Sequence, residues 1–155
     1  MKPDVVLTPC KDYSQGEVES ALARVLEPLG GLSWVKPGMR IAIKANLVTF
    51  LKPERAATTH PSLLCALVRM LSERGADVVV GDSPGGLYNA AYVKRVYQAT
   101  GMEQVEQAGG RLNWDFSHAQ GEYPEGKVCR QFTYTAYLSK ADAIINFCKL
   151  KTHGM

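Results

Sequence analysis

Eight polar residues stand where short apolar runs end, and their types suit the holding of negative charge. Lys44 and Asn46 follow Ile41 to Ile43; Asp82 and Ser83 follow Val78 to Gly81; Lys149, Lys151, Thr152 and His153 come after Ala143 to Ile145. Lysine brings point charge to a phosphate or carboxylate, while Asn, Ser and Thr bring directional hydrogen bonds. Thr58-Thr59-His60-Pro61 heads a further apolar stretch, where a helix start would aim unpaired N–H groups at the same anion. In this reading Lys44, Lys149 and Lys151 neutralise charge, and Asn46, Thr59, Ser83 and Thr152 orient the ligand. Asp82 is the base or metal ligand, and His60 and His153 transfer protons or coordinate a metal. A divalent ion with oxygen and nitrogen ligands would take Asp82 and the two histidines.

Each position also has a plainer use. Thr58, Thr59 and His60 can simply cap the helix that follows. Asp82-Ser83-Pro84-Gly85-Gly86 has the composition of an ordinary strand-to-helix turn, and it forms neither G-x-G-x-x-G nor a P-loop. Lysines and a histidine at the end of the chain can be solvated. Lys44, inside an apolar strand, needs an ion partner or a path to solvent. His118, beside Ser117 in a weakly patterned stretch, reads as a surface residue. No G-x-S-x-G elbow and no H-E-x-x-H is present, so hydrolase chemistry finds no residues to carry it.

The elements that must position these residues are legible as punctuation. Asp4 to Leu7 reads as a strand, and Ser14 with Glu17 as a capping box before Val18, Leu22, Val25, Leu26 and Leu29. Lys36-Pro37-Gly38 turns the chain into a buried strand, Arg40 to Ala45, and a long loop runs from Asn46 to His60. Pro61 opens a helix carrying Leu63, Leu64, Leu67, Val68, Met70 and Leu71, which Gly75 stops. Val78 to Asp82 is the next strand, and a helix with Tyr92, Val93, Val96 and Tyr97 ends at Gly101. Beyond it, Arg111 to Phe116 alternates like a strand, Lys127 to Tyr134 reads as another, and Thr135 to Lys140 as a short helix. Strand–helix alternation with apolar strands predicts an α/β fold: an open, mostly parallel sheet with helices on both faces. Ligands of such sheets bind beyond the strand carboxyl ends, where the polar residues converge.

Composition bounds the function. At 155 residues, 46% hydrophobic and 21% charged, the sequence matches one α/β domain over 1–155, and its ending just past an apolar strand reads as the N-terminal part of a longer protein. A net charge of +3 without a basic run argues against nucleic acid as partner. No apolar stretch reaches the roughly 18 residues a bilayer demands, and the start lacks the apolar core of a signal peptide, so no membrane partner and a cytoplasmic protein are expected. Cys10, Cys65, Cys129 and Cys148 are scattered without a C-x-x-C pair and read as buried structural thiols, with no cofactor of their own.

Four motifs in order, Lys44-Ala45-Asn46-Leu47, Thr58-Thr59-His60-Pro61, Gly75-Ala76 with Val80-Gly81-Asp82-Ser83, and Lys149-Leu150-Lys151-Thr152-His153, resemble domain-of-unknown-function family 362. The resemblance covers the chain from about Lys36 onward. It implies an α/β protein, often about twice this length, and in many members a carboxy-terminal ferredoxin-like segment with cysteines for iron–sulfur clusters. This chain has no such segment. The resemblance therefore implies iron–sulfur clusters in a missing C-terminal segment, which would be a partner along with a small anionic ligand; exposed sheet edges would also allow self-association. Two functions fit: a small-anion site in a redox-linked enzyme, or a non-catalytic electron-transfer or assembly module that docks an acidic partner.

Overall fold

A computed structural model describes residues 3–153. Helix α1 (Gln15–Leu26) precedes strand β1 (Arg40–Lys44); α2 (Pro61–Ser72) leads to β2 (Asp77–Gly81); α3 (Ala90–Thr100) and the single turn α4 (Gln104–Gln107) lead to β3 (Arg111–Leu112). A hairpin of β4 (His118–Glu122) and β5 (Gln131–Thr135) follows, and β6 (Ala143–Asn146) closes the order. The main sheet is parallel throughout, ordered β3-β2-β1-β6, and is flanked by helices, the α/β fold that the strand–helix alternation predicts.

Alternation along β1 decides what each face receives. Ile41 and Ile43 point into the main core with Val78 and Val80 of β2, under Val18 and Leu22 of α1, Leu64, Leu67, Val68 and Leu71 of α2, and Val93 and Val96 of α3. On the opposite face, Ala42 and Val79 lie beneath Tyr137, with Leu138 and Ala141 beside it. Residues 136–140, expected as part of a helix, form consecutive turns closed by Leu138 N–H to Thr135 O, Ser139 N–H to Ala136 O and Ala141 N–H to Leu138 O. They act as a strap that carries the chain across this face into β6.

The chain steps from β1 to β2 to β3 in one direction and then returns to the far side of β1 to form β6. Right-handed crossovers put the two directions of travel on opposite faces of the sheet. The reversal therefore falls between β1 and β6, a topological switch point, and their carboxyl ends flank a crevice. In register, Lys44 sits between Gly81 of β2 and Asn146 of β6.

Several local expectations are corrected. Asp4 to Leu7 forms no strand: Val5 is 74% and Leu7 91% exposed, and no backbone hydrogen bond joins the run to the sheet. The capping box does not close, because Asp12 Oδ1 accepts from both the N–H and the hydroxyl of Ser14, while Glu17 accepts from Lys11 N–H. The strand expected over Arg111 to Phe116 shrinks to Arg111–Leu112, since Asn113 turns its side chain to Tyr88 and to the backbone of Asp115. Of the cysteines read as buried, only Cys65 is; Cys10, Cys129 and Cys148 are exposed. Helix boundaries follow their punctuation: α2 stops before Gly75 and α3 before Gly101, both at positive φ.

Candidate functional site

The cleft at the switch point is a cavity of about 540 Å³ lined by Lys44, Asn46, Leu138, Ile144, Asn146, Cys148, Lys149, Lys151 and His153. Five of the sequence-expected site residues, Lys44, Asn46, Lys149, Lys151 and His153, meet there. Among the described residues none of the lining is acidic and three are lysines, so the lining carries positive charge. Cys148, Leu138 and Ile144 were not among the expected site residues, and Asn146 was expected only as one of the polar residues at the strand ends, without a role of its own. Asn146 had a signal, being the first polar residue of the last strand; Cys148 was misread because scattered thiols usually pack inside.

Lys44 is held rather than free. Its Nζ lies 3.0 Å from Asp82 Oδ1, and Asp82 is only 4% exposed. The same carboxylate accepts the N–H of Leu47 (2.7 Å, Oδ2) and of Ser83 (2.9 Å, Oδ1). Asp82 thus fixes three things at once: the lysine at the end of β1, the loop leaving β1, and the turn leaving β2. Gly81, just before it, lets Asn113 and Tyr137 pack close against the end of β2, since a Cβ there would lie 2.8 Å from Asn113 Cβ and 3.0 Å from Tyr137 Cζ. The Tyr137 hydroxyl is buried without a hydrogen-bond partner, and burial together with the charge of Asp82 pushes its pKa up.

Thr59 works as a clasp. Its hydroxyl donates to Phe147 O (2.8 Å) and accepts from Asn46 N–H (2.9 Å), and its own N–H donates to Asn46 O (2.8 Å). Buried to 2% exposure, with its only hydroxyl hydrogen used, it ties the loop after β1 and the start of α2 to the end of β6.

His60 is the N-cap of α2, its Nδ1 accepting from Ser62 N–H (3.2 Å), and its ring stacks on Tyr13 at 3.6 Å between centroids. Burial first, then the charge of Lys149, holds its pKa below the usual histidine value. A protonated Nδ1 could not accept from Ser62, which acts in the same direction. In the unfolded chain His60 regains its ordinary pKa, near 6.5. The stability tied to its neutral form is therefore complete above that value and is lost as pH falls through the lower folded value. Stability measured by urea unfolding should drop on acidification below about pH 6.5, and His60→Asn, which keeps a capping oxygen but cannot titrate, should flatten that slope.

Thr59, Asp82, Ser83, His60 and Thr152 do not line the cavity. Ser83 and Thr152 are exposed. The metal set proposed from sequence is not assembled: among the described residues no group of three or more His, Cys, Asp or Glu is placed to hold a metal ion. The turn after β2 is likewise engaged within the protein, with Gly85 N–H donating to Val48 O (2.8 Å) and the Tyr92 hydroxyl donating to Gly85 O. Val48 sits at φ 55°, a strained conformation for a β-branched residue, in the loop that carries Asn46.

Fold and cleft together define an open-sheet α/β protein with a cationic crevice at the carboxyl ends of its strands. The chain belongs to the family described as Domain of unknown function (DUF362), whose model matches residues 41–155. It is also similar to a thylakoid-associated protein of Synechocystis sp. (strain ATCC 27184 / PCC 6803 / Kazusa), at 34% identity over 168 aligned residues covering 99% of this chain and 47% of the relative. The chain thus spans about half the length of the curated relative it matches. No solved structure matches it. Among the described residues, no helix is long and apolar enough to cross a membrane.

Proposed function

We propose that the switch-point cleft binds a small anion, a phosphate or a carboxylate, as one part of a redox-linked enzyme. The observation that supports this most directly is the convergence of Lys44, Asn46, Asn146, Lys149, Lys151 and His153 on one cavity whose lining, among the described residues, contains no carboxylate. Asp82 already balances the charge of Lys44, so the surplus positive charge comes from Lys149 and Lys151, and the two asparagines offer hydrogen bonds that can select geometry. Leu138 and Ile144 give the cavity an apolar wall suited to the carbon skeleton of a carboxylate.

The test is thermal unfolding of the protein with inorganic phosphate, pyrophosphate and small mono- and dicarboxylates, compared with the Lys149→Ala/Lys151→Ala variant. A ligand at about a hundred times its Kd adds roughly 2.7 kcal/mol, a shift of several degrees. The shift should vanish in the variant, whose substitutions lie outside the core. His60 supplies a second readout: an anion beside Lys149 offsets the charge that depresses its pKa, so the imidazole titration followed by NMR should move upward on binding. If no anion moves either signal, the reading is wrong.

A second reading has one observation in its favour. Leu150 is 96% exposed between Lys149 and Lys151, an arrangement suited to docking an acidic partner. Docking would weaken steeply with salt and show no preference among small anions. Iron–sulfur association belongs to the same proposal. The cysteines here do not fit a cluster, since Cys65 is buried and no three cysteine, histidine or acidic side chains converge among the described residues. Clusters would have to be bound by cysteines that this chain does not contain. A cytoplasmic place for the protein is also our reading; recovery in the membrane pellet on cell fractionation would contradict it.

A further inference from the structure

We propose that the outer edge of β6 is the seat of an additional β-strand, contributed by the part of the longer polypeptide by which the curated relative exceeds the match.

Handedness is the first support. Helix α1 packs beside α2 on the same face of the sheet as the crossover helices that step from β1 towards β3. A right-handed crossover on that face always steps in that direction, so a strand preceding α1 belongs on the β6 side of β1. Thr8 and Pro9, just after the run Asp4–Leu7, are placed accordingly. Arg24 of α1 reaches back to Thr8 Oγ1 (3.3 Å) and Pro9 O (3.0 Å), while Glu19 pairs with Arg69 of α2. Glu19 and Arg24 are five positions apart in the helix, about 140° around its axis, so Thr8 and Pro9 lie on the flank of α1 turned away from α2 and the chain before them starts from that side.

The sheet supplies the second support. Among the described residues β6 pairs only with β1, and no backbone hydrogen bond joins β6 to Asp4–Leu7. Ile144 on one side of β6 is 55% exposed. On the other side an apolar hollow of about 440 Å³, lined in part by Val25, Leu26, Trp34, Leu67, Ile145 and Phe147, lies between α1 and the strand. An open edge with apolar side chains on both of its faces is the surface that strand addition covers. The relative's length names the source: 99% of this chain aligns to 47% of that protein, which leaves more than an equal length of chain to supply strands. A strand entering beside β6 would fill the hollow and bring Asp4–Leu7 within reach of the sheet as its next member.

Two measurements test this, independently of what the cleft binds. In the first, amide exchange of the 155-residue protein alone is followed by NMR at a concentration where sedimentation shows a monomer. Ala143–Asn146 should exchange at least tenfold faster than Ile41–Lys44. Equal protection would mean that the edge is already covered, by Asp4–Leu7 or another part of this chain, and would overturn the proposal. In the second, the protein is co-expressed with the part of the Synechocystis relative that lies outside the match. A 1:1 complex is expected, with slowed exchange at Ala143–Asn146 and blue-shifted Trp34 emission, both lost with Trp34→Asp, a substitution on the 42%-exposed rim of the hollow. A complex that leaves these amides unprotected, no complex, or a homodimer of the 155-residue chain through β6 would each overturn it.

Discussion

Replacing Asp82 by alanine should lower the unfolding free energy by about 3 kcal/mol, or roughly 6–12 °C in Tm for a chain of this size. The carboxylate is 4% exposed and holds Lys44 Nζ together with the N–H groups of Leu47 and Ser83. Alanine leaves those two N–H donors unpaired and Lys44 without its counter-ion. The lysine side chain is 35% exposed, so water recovers part of its solvation and the loss stays at the lower end of the range for broken buried pairs. Urea unfolding of the wild-type protein, Asp82→Ala, Lys44→Met and the double variant separates these contributions. The double variant should recover part of the Asp82→Ala loss, because the isolated ammonium is gone while the unpaired N–H groups remain. A loss below about 1 kcal/mol for Asp82→Ala, the range of an exposed ion pair, would show that the pair is solvated and does not organise the cleft.

Thr59→Val should be nearly as severe, at about 2–3 kcal/mol, although it changes neither size nor charge. Valine keeps the shape and removes the oxygen, leaving Asn46 N–H and Phe147 C=O facing a methyl group. Thr59→Ser, which keeps the oxygen, should stay within about 1 kcal/mol of wild type. Hydrogen exchange at Asn46 and at Phe147–Cys148 distinguishes a clasp from a generic packing residue. In the valine variant these amides should open while the centre of α2 remains protected. Uniform loss of protection across the chain would instead mean that Thr59 supports the whole fold and not the cleft.

The strands and helices that surround the cleft were legible because their signals are local. Pro61 and Gly75 bracket α2, Gly101 ends α3, and the apolar triplets of β1, β2 and β6 fall between turn residues. What the sequence hides is partnership. Nothing local says that Asp12 rather than Glu17 will satisfy Ser14, that Asp82 will be spent on Lys44 and two N–H groups, or that the Thr59 hydroxyl will reach Phe147. Asp4–Leu7 has strand composition, but a strand exists only where a neighbour accepts its hydrogen bonds, and no such neighbour lies beside it here. The site was therefore legible as a set of positions at strand ends. The division of those positions into cavity lining (Lys44, Asn46, Lys149, Lys151, His153) and supporting frame (Asp82, Thr59, His60) depends on distances the sequence does not contain.

The clasp at Thr59 also constrains the order in which the protein can assemble. Its hydroxyl joins residues 88 positions apart, and the β1–β6 pairing beneath it begins with Ile41 against Ala143, whereas β1 and β2 pair across the much shorter span from Arg40 to Asp77. Loop-closure entropy favours the shorter connection first, so β1, α2 and β2 can come together while β6 is still unattached. Lys44 and Asp82 meet in that early unit, but the wall bearing Asn146, Lys149, Lys151 and His153 arrives only with β6. During synthesis the anchor of the crevice is thus present before the crevice itself, and a ribosome-bound chain has no completed pocket until nearly all of these residues have emerged.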